Sequence, residues 1–355
     1  MKKILTIIGA RPQFIKASVV SKAILEQPAL SEIIVHTGQH FDANMSDIFF
    51  EQLCIPKPHY QLDIHGGSHG QMTGRMLMEI ESVILQEKPD RVLVYGDTNS
   101  TLAGALAASK LHVPTAHIEA GLRSFNMRMP EEINRILTDQ VSDILFCPTQ
   151  VAIDNLKTEG FEHKLVKILN VGDVMQDSAL FFAQRATAPS GIALEEGFIL
   201  ATLHRAENTD DPARLTAIVE ALNELQRNDA PVVLPLHPRT RGVIERLGLK
   251  LEAQVIDPVG YLEMIWLLQR AGLVLTDSGG VQKEAFFFGK PCVTMRDQTE
   301  WVELVNCGAN VLAGADQERI VDVARASLGT VIRDNNQLYG GGQASGRIAQ
   351  YLAGL

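Results

Sequence analysis

The sequence predicts an α/β protein with two doubly wound domains, each built on a parallel sheet. Short apolar runs typical of strands alternate with helical patterns along the whole chain, and this alternation favours a parallel sheet covered by helices on both faces. At 355 residues, the chain is longer than the size at which one hydrophobic core usually stops growing. Most chemically reactive residues follow strand-like runs. Because ligands of open parallel sheets bind at the carboxyl ends of strands, we expect the site in those loops.

The first half of the chain predicts five strands and the helices between them. Met76, Ile80 and Ile84 recur at helical spacing, which predicts an amphipathic helix. Residues 102–111 are mostly small, which suits a helix that packs closely on a sheet. The strand-like runs are residues 4–8, 33–36, 92–95, 115–118 and 144–147.

The second half repeats this alternation after a polar, irregular stretch at residues 186–197. Pro189, Ser190 and Gly191 make this stretch the predicted domain boundary. The strand-like runs that follow are residues 198–201, 232–234, 255–256, 273–275 and 293–295.

The sequence therefore predicts an N-terminal domain at residues 1–185 and a C-terminal domain at residues 186–340. Three glycines at residues 340–342 form a predicted hinge, because no strand precedes them. The final segment, residues 341–355, contains a short predicted helix. We expect this helix to pack back across the domain interface onto the N-terminal domain.

The composition excludes several classes of protein. The formal net charge of −10 argues against non-specific binding to nucleic acid or to an anionic membrane. No apolar segment approaches the ~20 residues that span a bilayer. Cys54, Cys147, Cys292 and Cys307 show no CxxC spacing, so we interpret them as reduced thiols in a cytoplasmic protein.

Residues 273–285, LVLTDSGGVQKEA, predict a strand, a glycine turn and the start of a helix. Such a turn places backbone N–H groups near Ser278, Gly279 and Gly280 at the positive end of the helix dipole, where phosphates bind. Glu284 follows one turn later and is placed to accept both hydroxyls of a ribose. The alternative is that Asp277 and Ser278 only cap the helix while the glycines turn the chain. The first interpretation predicts a nucleotide site.

Eight short motifs are spread through nearly the whole chain. They are GARPQFIK, GDTNST, HIEAGLRS, MPEEINR, LHRAEN, LHPRTR, TDSGGVQKEA and MRDQTEW. Together they resemble the motif set of the non-hydrolysing UDP-N-acetylglucosamine 2-epimerase family. The resemblance implies two Rossmann-like domains that face one cleft, as in the GT-B fold. Within the family, the wording is most similar to the enzymes of O-antigen synthesis that act on UDP-2,3-diacetamido-2,3-dideoxyglucuronate.

The resemblance implies an isomerase that inverts C2 of a UDP-N-acetylated sugar by eliminating UDP to a glycal and adding it back. It implies a UDP-sugar substrate, a homodimer, and neither a redox cofactor nor a metal. Asp97, Glu119 and Glu131 match the family's catalytic carboxylates, and which acid serves which face of C2 stays open. Asp97 is alternatively a helix N-cap, and Glu131 is alternatively a first-turn acid after Pro130.

The resemblance also implies cations and helix N-termini around the departing diphosphate. Lys16 matches a position near the phosphates and is alternatively an ordinary helix lysine. The other matching residues are the catalytic His204 with Arg11, Ser278, Gly279 and Gly280, and Glu284 on the ribose. The segment Gln39-His40 resembles one that in some relatives helps to form a second, regulatory nucleotide-sugar site.

Four further residues are candidates for contact with substrate. Arg135 lies one helical turn from Glu131 and is expected to hold that carboxylate. Arg123 and Arg296 follow strands at the expected cleft. His237 either contacts substrate or packs its loop. His117, in contrast, lies inside an apolar strand and is predicted to be a core residue.

The loop between Arg123 and Pro130 joins two segments with catalytic carboxylates, so we expect it to overhang the hexose. Arg128 is the cation on that loop. An arginine pairs with a carboxylate in bidentate geometry, so Arg128 is the candidate partner for a uronate carboxylate. The alternative is a solvated loop arginine.

Two other functions remain alternatives to an epimerase. A retaining glycosyltransferase on the same fold needs an acceptor site, often beside a basic or amphipathic membrane patch, which the sequence does not show. A catalytically idle nucleotide-sugar sensor has no need of paired proton-transfer acids, so Asp97, Glu119 and Glu131 argue against it.

Overall fold

The computed structural model describes residues 1–39, 57–192, 194–334 and 337–355. They form two compact units. Unit 1 comprises Met1–Ser178 with Gln337–Leu355, and unit 2 comprises Ala179–Asn336. Each unit contains one all-parallel sheet with helices between its strands. The predicted class, two doubly wound α/β domains, is therefore confirmed.

Unit 1 contains seven described strands in the order β3-β2-β1-β4-β5-β6-β7. The order reverses between β1 and β4, which lie side by side in parallel. Such a reversal opens a crevice at the carboxyl ends of the two strands, where ligands of this fold bind. The strands are β1 (Lys2–Ile8), β2 (Leu30–His36), β3 (Tyr60–Gln61), β4 (Arg91–Tyr95), β5 (Thr115–Ile118), β6 (Ile144–Cys147) and β7 (Lys167–Asn170).

The helices of unit 1 follow the predicted patterns. The described helices before the change of unit are α1 (Arg11–Leu25), α2 (His69–Glu87), α3 (Asn99–Lys110), α4 (Pro130–Val141), α5 (Gln150–Thr158) and α6 (Val174–Ala183). Helix α2 buries Met76, Ile80 and Ile84, which confirms the apolar stripe. Helix α3 is almost entirely buried. A Cβ atom on its Gly104 would lie 3.1 Å from a carbon of Ile7, so the small residue permits close packing on the sheet.

Unit 2 contains six described strands in the order β10-β9-β8-β11-β12-β13. This order again reverses, between β8 and β11. The strands are β8 (Ile199–Thr202), β9 (Val232–Pro235), β10 (Gln254–Ile256), β11 (Leu273–Thr276), β12 (Cys292–Thr294) and β13 (Asn310–Leu312). The helices are α7 (Ala206–Thr209), α8 (Pro212–Asn228), α9 (Pro238–Arg246), α10 (Tyr261–Arg270), α11 (Gly279–Phe287), α12 (Val302–Asn306) and α13 (Gln317–Ser327).

The last helix, α14 (Ala344–Gly354), belongs to unit 1. Asp177 caps it, because its carboxylate accepts from the backbone N–H groups of Ala344 at 3.1 Å and Ser345 at 2.7 Å. Burial raises the pKa of Asp177, and these hydrogen bonds only partly oppose that shift. Tyr351 packs edge-on against Phe146 of β6, with ring centroids 5.8 Å apart.

The change of unit falls at residues 178 and 179, inside α6, and at residues 336 and 337. The predicted domain limits at residues 185 and 340 refer to domains that fold independently. They stay predictions. Among the described residues, no helix is both long and apolar enough to cross a bilayer.

Candidate active site

Gln13 joins the loops that follow β1 and β4 in unit 1. Its side-chain oxygen accepts from the backbone N–H groups of Gly9 at 2.8 Å and Ala10 at 3.0 Å. Its amide nitrogen donates to the carbonyl of Tyr95 at 2.8 Å. A Cβ atom on Gly9 would lie 2.0 Å from the hydroxyl of Thr37, so this loop requires glycine. The two loops at the reversal point of the sheet are thus held together.

Asp97 follows β4 and forms an ion pair with Arg135 of α4. The Arg135 side chain is 12% exposed, whereas that of Asp97 is 34% exposed and remains accessible to a ligand. The alternative that Asp97 caps α3 is wrong. Thr98 is the N-cap residue, and its hydroxyl accepts from the backbone N–H of Thr101 at 3.3 Å.

Glu132 anchors the loop at residues 124–129. Its buried carboxylate accepts from the backbone N–H groups of Ser124 at 3.0 Å and Phe125 at 2.8 Å, and it also pairs with Arg135. Burial by itself would raise the pKa of Glu132, but these hydrogen bonds and the Arg135 charge outweigh it and lower the pKa. Arg135 therefore connects this loop anchor to Asp97.

The predicted pairing of Arg135 with Glu131 is wrong. Both nitrogens at the end of Arg135 are directed to Asp97 and Glu132. Glu131 is exposed in the first turn of α4, directly after Pro130. A carboxylate at this position is favoured by the helix dipole. The catalytic role of Glu131 stays a prediction.

Glu119 follows β5 and forms an ion pair with Lys16 of α1. The two side chains are 6% and 13% exposed. Glu119 adopts a left-handed backbone conformation with φ +67°, which is costly for a residue with a Cβ atom. Its carboxylate faces Gly96, where a Cβ atom would lie 3.1 Å from Oε2. Lys16 therefore orients a proposed catalytic acid, and its predicted contact with phosphate stays a prediction.

Contrary to the expected contact with substrate, the Arg123 side chain is not accessible to a ligand. Its guanidinium is buried between two carboxylates, with Nη1 2.8 Å from Asp139 and Nε 2.6 Å from Glu159. The side chain is 1% exposed. The predicted substrate contact is thus replaced by a buried charge cluster, because α4 and the residue that ends α5 supply carboxylates that sequence spacing does not reveal.

Arg128 lies in the exposed loop at residues 124–129. Its backbone N–H donates to Asn126 Oδ1 at 3.1 Å. The neighbouring Phe125 and Met127 are 78% and 60% exposed. An exposed arginine beside apolar side chains is available to a ligand, and the role of Arg128 stays a prediction.

In unit 2, Asp277 holds the loop of His204 at the reversal point of the sheet. His204 Nδ1 lies 3.1 Å from Asp277 Oδ1, and the backbone N–H groups of His204 and Arg205 donate to the same carboxylate at 3.0 and 2.9 Å. Burial would raise the pKa of Asp277, but the His204 contact and these hydrogen bonds lower it overall. The His204 side chain is 53% exposed, so its other ring nitrogen can face a ligand.

The side chains of Asp277 and Ser278 do not cap the N-terminus of α11. The Ser278 side chain makes no capping hydrogen bond, and its backbone N–H donates to Thr276 Oγ1 at 2.9 Å. Asp277 accepts from the His204 loop instead of α11. The alternative in which Asp277 and Ser278 only cap the helix is therefore wrong, and the first turn of α11 keeps donors for an anion.

Gly279 and Gly280 differ in their surroundings. A Cβ atom on Gly279 would lie 2.3 Å from Glu300 Oε1, whereas one on Gly280 would meet nothing within 4 Å. Arg296 lies between Glu207 at 3.2 Å and Glu300 at 3.0 Å. Arg296 thus joins α7, which follows β8, to the loop that follows β12, and its predicted sugar contact stays a prediction.

Glu284 is buried within α11. Burial raises its pKa to about 7, although the Lys283 charge and the Tyr261 hydroxyl act in the opposite direction. A protonated carboxylic acid can donate as well as accept, while the ionised form accepts from both hydroxyls of a ribose. Its charge therefore changes near neutral pH.

Three other expectations concern individual positions. His237 is exposed and caps α9, with Nδ1 accepting from the backbone N–H of Arg239 at 3.3 Å, so the loop role is observed and substrate contact stays a prediction. Arg11 begins α1, but its side chain and His40 lie outside the described residues. Within the described ranges, no group of three or more His, Cys, Asp or Glu side chains is placed to hold a metal.

Two charged residues that organise the site loops, Glu132 and Asp139, were not among the residues predicted from the sequence. Glu132 precedes Arg135 by three positions, a spacing that brings helical side chains together, and this signal was present in the motif. Asp139 has no such local signal, because its partners His117 and Arg123 are reached only through the tertiary fold.

The comparisons with known sequences cover nearly the whole chain. A sequence profile of the UDP-N-acetylglucosamine 2-epimerase family matches residues 22–353. The UDP-2,3-diacetamido-2,3-dideoxy-D-glucuronate 2-epimerase of Pseudomonas aeruginosa is 87% identical over 353 residues, which are 99% of this chain and 100% of that protein. The UDP-N-acetylglucosamine 2-epimerase of Methanocaldococcus jannaschii is 44% identical, over 99% of this chain and 98% of that protein.

Solved structures agree with this assignment. The M. jannaschii enzyme in complex with UDP-GlcNAc and UDP has a TM-score of 0.85 and 42% identity, covering 100% of both chains. The Neisseria meningitidis UDP-GlcNAc 2-epimerase bound to UDP-GlcNAc has a TM-score of 0.87 and 30% identity, covering 99% of this chain and 100% of that one. The motif resemblance is thus confirmed, and the chain belongs to the UDP-N-acetylglucosamine 2-epimerase family of enzymes.

Proposed function

We propose that this UDP-sugar 2-epimerase interconverts UDP-2,3-diacetamido-2,3-dideoxy-D-glucuronate and its C2 epimer of manno configuration. The observation that carries the substrate assignment is the 87% identity to the P. aeruginosa enzyme of that name. The chemistry is supported by Asp97 and Glu119, two carboxylates that follow adjacent strands and are each paired with a cation.

The proposed reaction begins with cleavage of the bond between C1 and the diphosphate oxygen. The hydrogen on C2 is not acidic in the bound sugar, because C1 is an acetal carbon. As the C1–O bond breaks, C1 gains oxocarbenium character, a carboxylate removes the C2 proton, and UDP leaves to give a glycal with a C1–C2 double bond. UDP then returns to C1 while an acid delivers a proton to the opposite face of C2.

The two carboxylates of unit 1 fit this exchange of proton-transfer roles. One removes the proton and another supplies it, and Glu131 is a third proposed participant. General acid or base catalysis of this kind typically contributes ~10²–10⁴ in rate. The Lys16 and Arg135 contacts orient Glu119 and Asp97, so each carboxylate needs little reorganisation before it reacts.

Most of the proposed nucleotide contacts lie in unit 2. The first turn of α11 supplies N–H donors for the diphosphate, His204 is held by Asp277 beside it, and Glu284 serves the ribose. Donors aimed at the oxygen that gains charge in the transition state lower the barrier, and the loss of one typically costs ~10²–10³ in rate. Arg11, Lys16, His237 and Arg296 are further proposed contacts.

Deuterium incorporation tests the reaction. We expect that incubation of the protein with the UDP-diacetamido-uronate in heavy water, without acceptor, places deuterium at C2 of both epimers. Unlabelled sugar together with transfer to an added acceptor would favour the glycosyltransferase alternative. Efficient turnover of UDP-N-acetylglucosamine alone would assign the protein the activity of its M. jannaschii relative.

Substrate choice is proposed to depend on Arg128, the exposed cation of the loop at residues 124–129. We expect Arg128→Met to weaken turnover of the diacetamido-uronate by ~1.5–3 kcal/mol, the range for a hydrogen bond to a charged group. The effect on a neutral UDP-N-acetylhexosamine should be small. Kinetics on both sugars check this, and equal losses would remove Arg128 from the specificity argument.

The biological setting is proposed from the resemblance of the motifs to those of enzymes of O-antigen synthesis. The product would serve as a precursor of O-antigen in lipopolysaccharide synthesis, in the cytoplasm, where UDP-sugars are assembled. We also propose a homodimer. Loss of the corresponding sugar from the O-antigen of a deletion strain tests the first point, and sedimentation velocity of the purified protein tests the second.

A further inference from the structure

His117 lies on β5 and is fully buried, with both ring nitrogens close to oxygen atoms. Nδ1 is 2.7 Å from Asp139 Oδ1 on α4, and Nε2 is 2.7 Å from the carbonyl oxygen of Gly96. The sequence predicts a core residue at this position, and burial confirms that. The two polar contacts go beyond an apolar core role.

These contacts determine how many protons the ring carries. A backbone carbonyl can only accept, so Nε2 must carry a hydrogen. Asp139 Oδ2 is contacted by Arg123 Nη1 at 2.8 Å and by the backbone N–H of Gly121 at 3.1 Å, and both of these groups are donors. With the Asp139 carboxylate acting as an acceptor towards His117 as well, Nδ1 carries a second hydrogen. A ring with two N–H groups is an imidazolium.

With a protonated His117, the charges of this buried cluster are balanced. His117 and Arg123 supply two cations, and Asp139 and Glu159 supply two carboxylates. Cys147 on the neighbouring strand adds no charge, because burial and the nearby Asp139 raise the pKa of its thiol. A buried charge is tolerated when it is paired and hydrogen-bonded, so this cluster can hold an imidazolium in the core.

The His117 ring is connected directly to the candidate site. Gly96 donates its backbone N–H to the carbonyl of Ile118 at 2.9 Å and accepts at its own carbonyl from His117. Asp97 follows Gly96, and Glu119 follows Ile118. We propose that His117 is held as a buried imidazolium by Asp139 and that, by clamping the Gly96 carbonyl, it is the positioning residue for both Asp97 and Glu119.

The protonation state can be measured without any assay of activity. The full-length protein is labelled with ¹⁵N in its histidine rings, and multiple-bond ¹H–¹⁵N spectra are recorded at pH 8. An imidazole with the ordinary pKa of about 6.5 is neutral at that pH. We expect one ring in which both nitrogens are of the protonated type, and this signal should be absent from His117→Asn. A spectrum of wild type in which every ring is neutral would overturn the proposal, whether or not the variant folds.

Two uncharged variants separate the clamp from general packing. A glutamine amide extends to about the place of Nε2 and keeps a donor towards Gly96, whereas an asparagine amide mimics Nδ1 and keeps only the donor towards Asp139. We expect kcat of His117→Asn to fall about 10²-fold below that of His117→Gln, since small misplacement of catalytic groups has effects of this size. KM should change little in both.

The kinetic comparison rests on the proposed function. The rate of deuterium incorporation at C2 measures kcat, and thermal unfolding shows whether each variant is folded. Equal kcat values, or a lower kcat for His117→Gln, would contradict the positioning role. A wild-type protein without epimerase activity would contradict the proposed function but leave the spectroscopic result decisive for the imidazolium.

Discussion

At the scale of single residues, the candidate acids are distinguished by their environment. Asp97 and Glu119 are each paired with a cation, whereas Glu131 is exposed at the start of α4. A paired carboxylate is oriented before substrate arrives, and an exposed one must be oriented by substrate. This difference argues for separate tests of the acids in one assay.

We predict that Asp97→Asn and Glu131→Gln each lower turnover by ~10²–10⁴, because a general acid or base typically contributes that factor. The affinity for UDP should stay nearly unchanged, since neither acid is among the proposed contacts of the diphosphate. Turnover and calorimetric titration with UDP measure the two effects. Asp154→Asn, an exposed acid on α5, is the control. Equal loss of UDP binding would show that these acids support the fold or the nucleotide.

Glu284 predicts a dependence of stability on pH. Its pKa of about 7 in the folded protein lies above the ordinary 4.5, so the protonated form is favoured by folding. The stabilisation is complete below pH 4.5 and is lost as pH rises through 7. By linkage, it amounts to about 3 kcal/mol.

Chemical denaturation between pH 5 and pH 8 measures this loss. We expect the free energy of unfolding of wild type to fall relative to that of Glu284→Gln over this interval. The affinity of wild type for UDP should rise over the same interval, because the ionised carboxylate accepts both ribose hydroxyls. If the free energies of unfolding of the two proteins changed in parallel between pH 5 and pH 8, the buried, protonated state of Glu284 would be contradicted.

At the scale of elements, the turn before α11 was predictable because all of its signals are local. A short apolar strand, two glycines and a helix start lie within residues 273–285. The pairing of Arg135 with Glu132 was equally local but was assigned to the wrong neighbour, because helical spacing permits both i−3 and i−4 partners. The choice depends on Asp97, which a different element supplies.

The two glycines of α11 allow a matched comparison. We predict that Gly279→Ala weakens UDP binding ~10-fold, because the new methyl group displaces the Glu300 carboxylate, which pairs with Arg296, a proposed substrate contact. The methyl group of Gly280→Ala would have no atom within 4 Å. This substitution should leave the stability of the fold unchanged or raise it slightly, since alanine favours helices. Calorimetric titration and thermal unfolding compare the two. Similar losses from both would contradict the steric argument.

At the scale of the whole molecule, the alternation of strands and helices predicted both sheets. The missed strands β3, β7 and β13 lie at the edges of the sheets and are only partly buried, so they lack the continuous apolar run that marks a buried strand. The ion pairs of Lys16 with Glu119 and of His117 with Asp139 join distant parts of the sequence. Such pairs depend on strand order, which a single sequence does not display.

Helix α14 predicts that the end of the chain stabilises unit 1. It buries Ala344, Ile348, Ala349 and Leu352. We expect removal of residues 344–355 to lower the free energy of unfolding by at least ~3–6 kcal/mol, since each fully buried Ile or Leu side chain contributes about 1.5–3 kcal/mol. Denaturant unfolding measures this. Removal of Leu355 alone, which is 51% exposed, is the control, and similar stability of both truncated chains would contradict the role of α14.

The division of the chain has a consequence for biosynthesis. Unit 2 is one continuous segment, Ala179–Asn336, inserted between the two segments of unit 1. A ribosome makes the chain from its N-terminus at about 5–20 residues per second. All of unit 2 is therefore made before Asp177 can meet Ser345 and Phe146 can meet Tyr351. The face of unit 1 that α14 covers therefore stays open until α14 has been translated, and it closes only when residues 344–354 emerge from the ribosome.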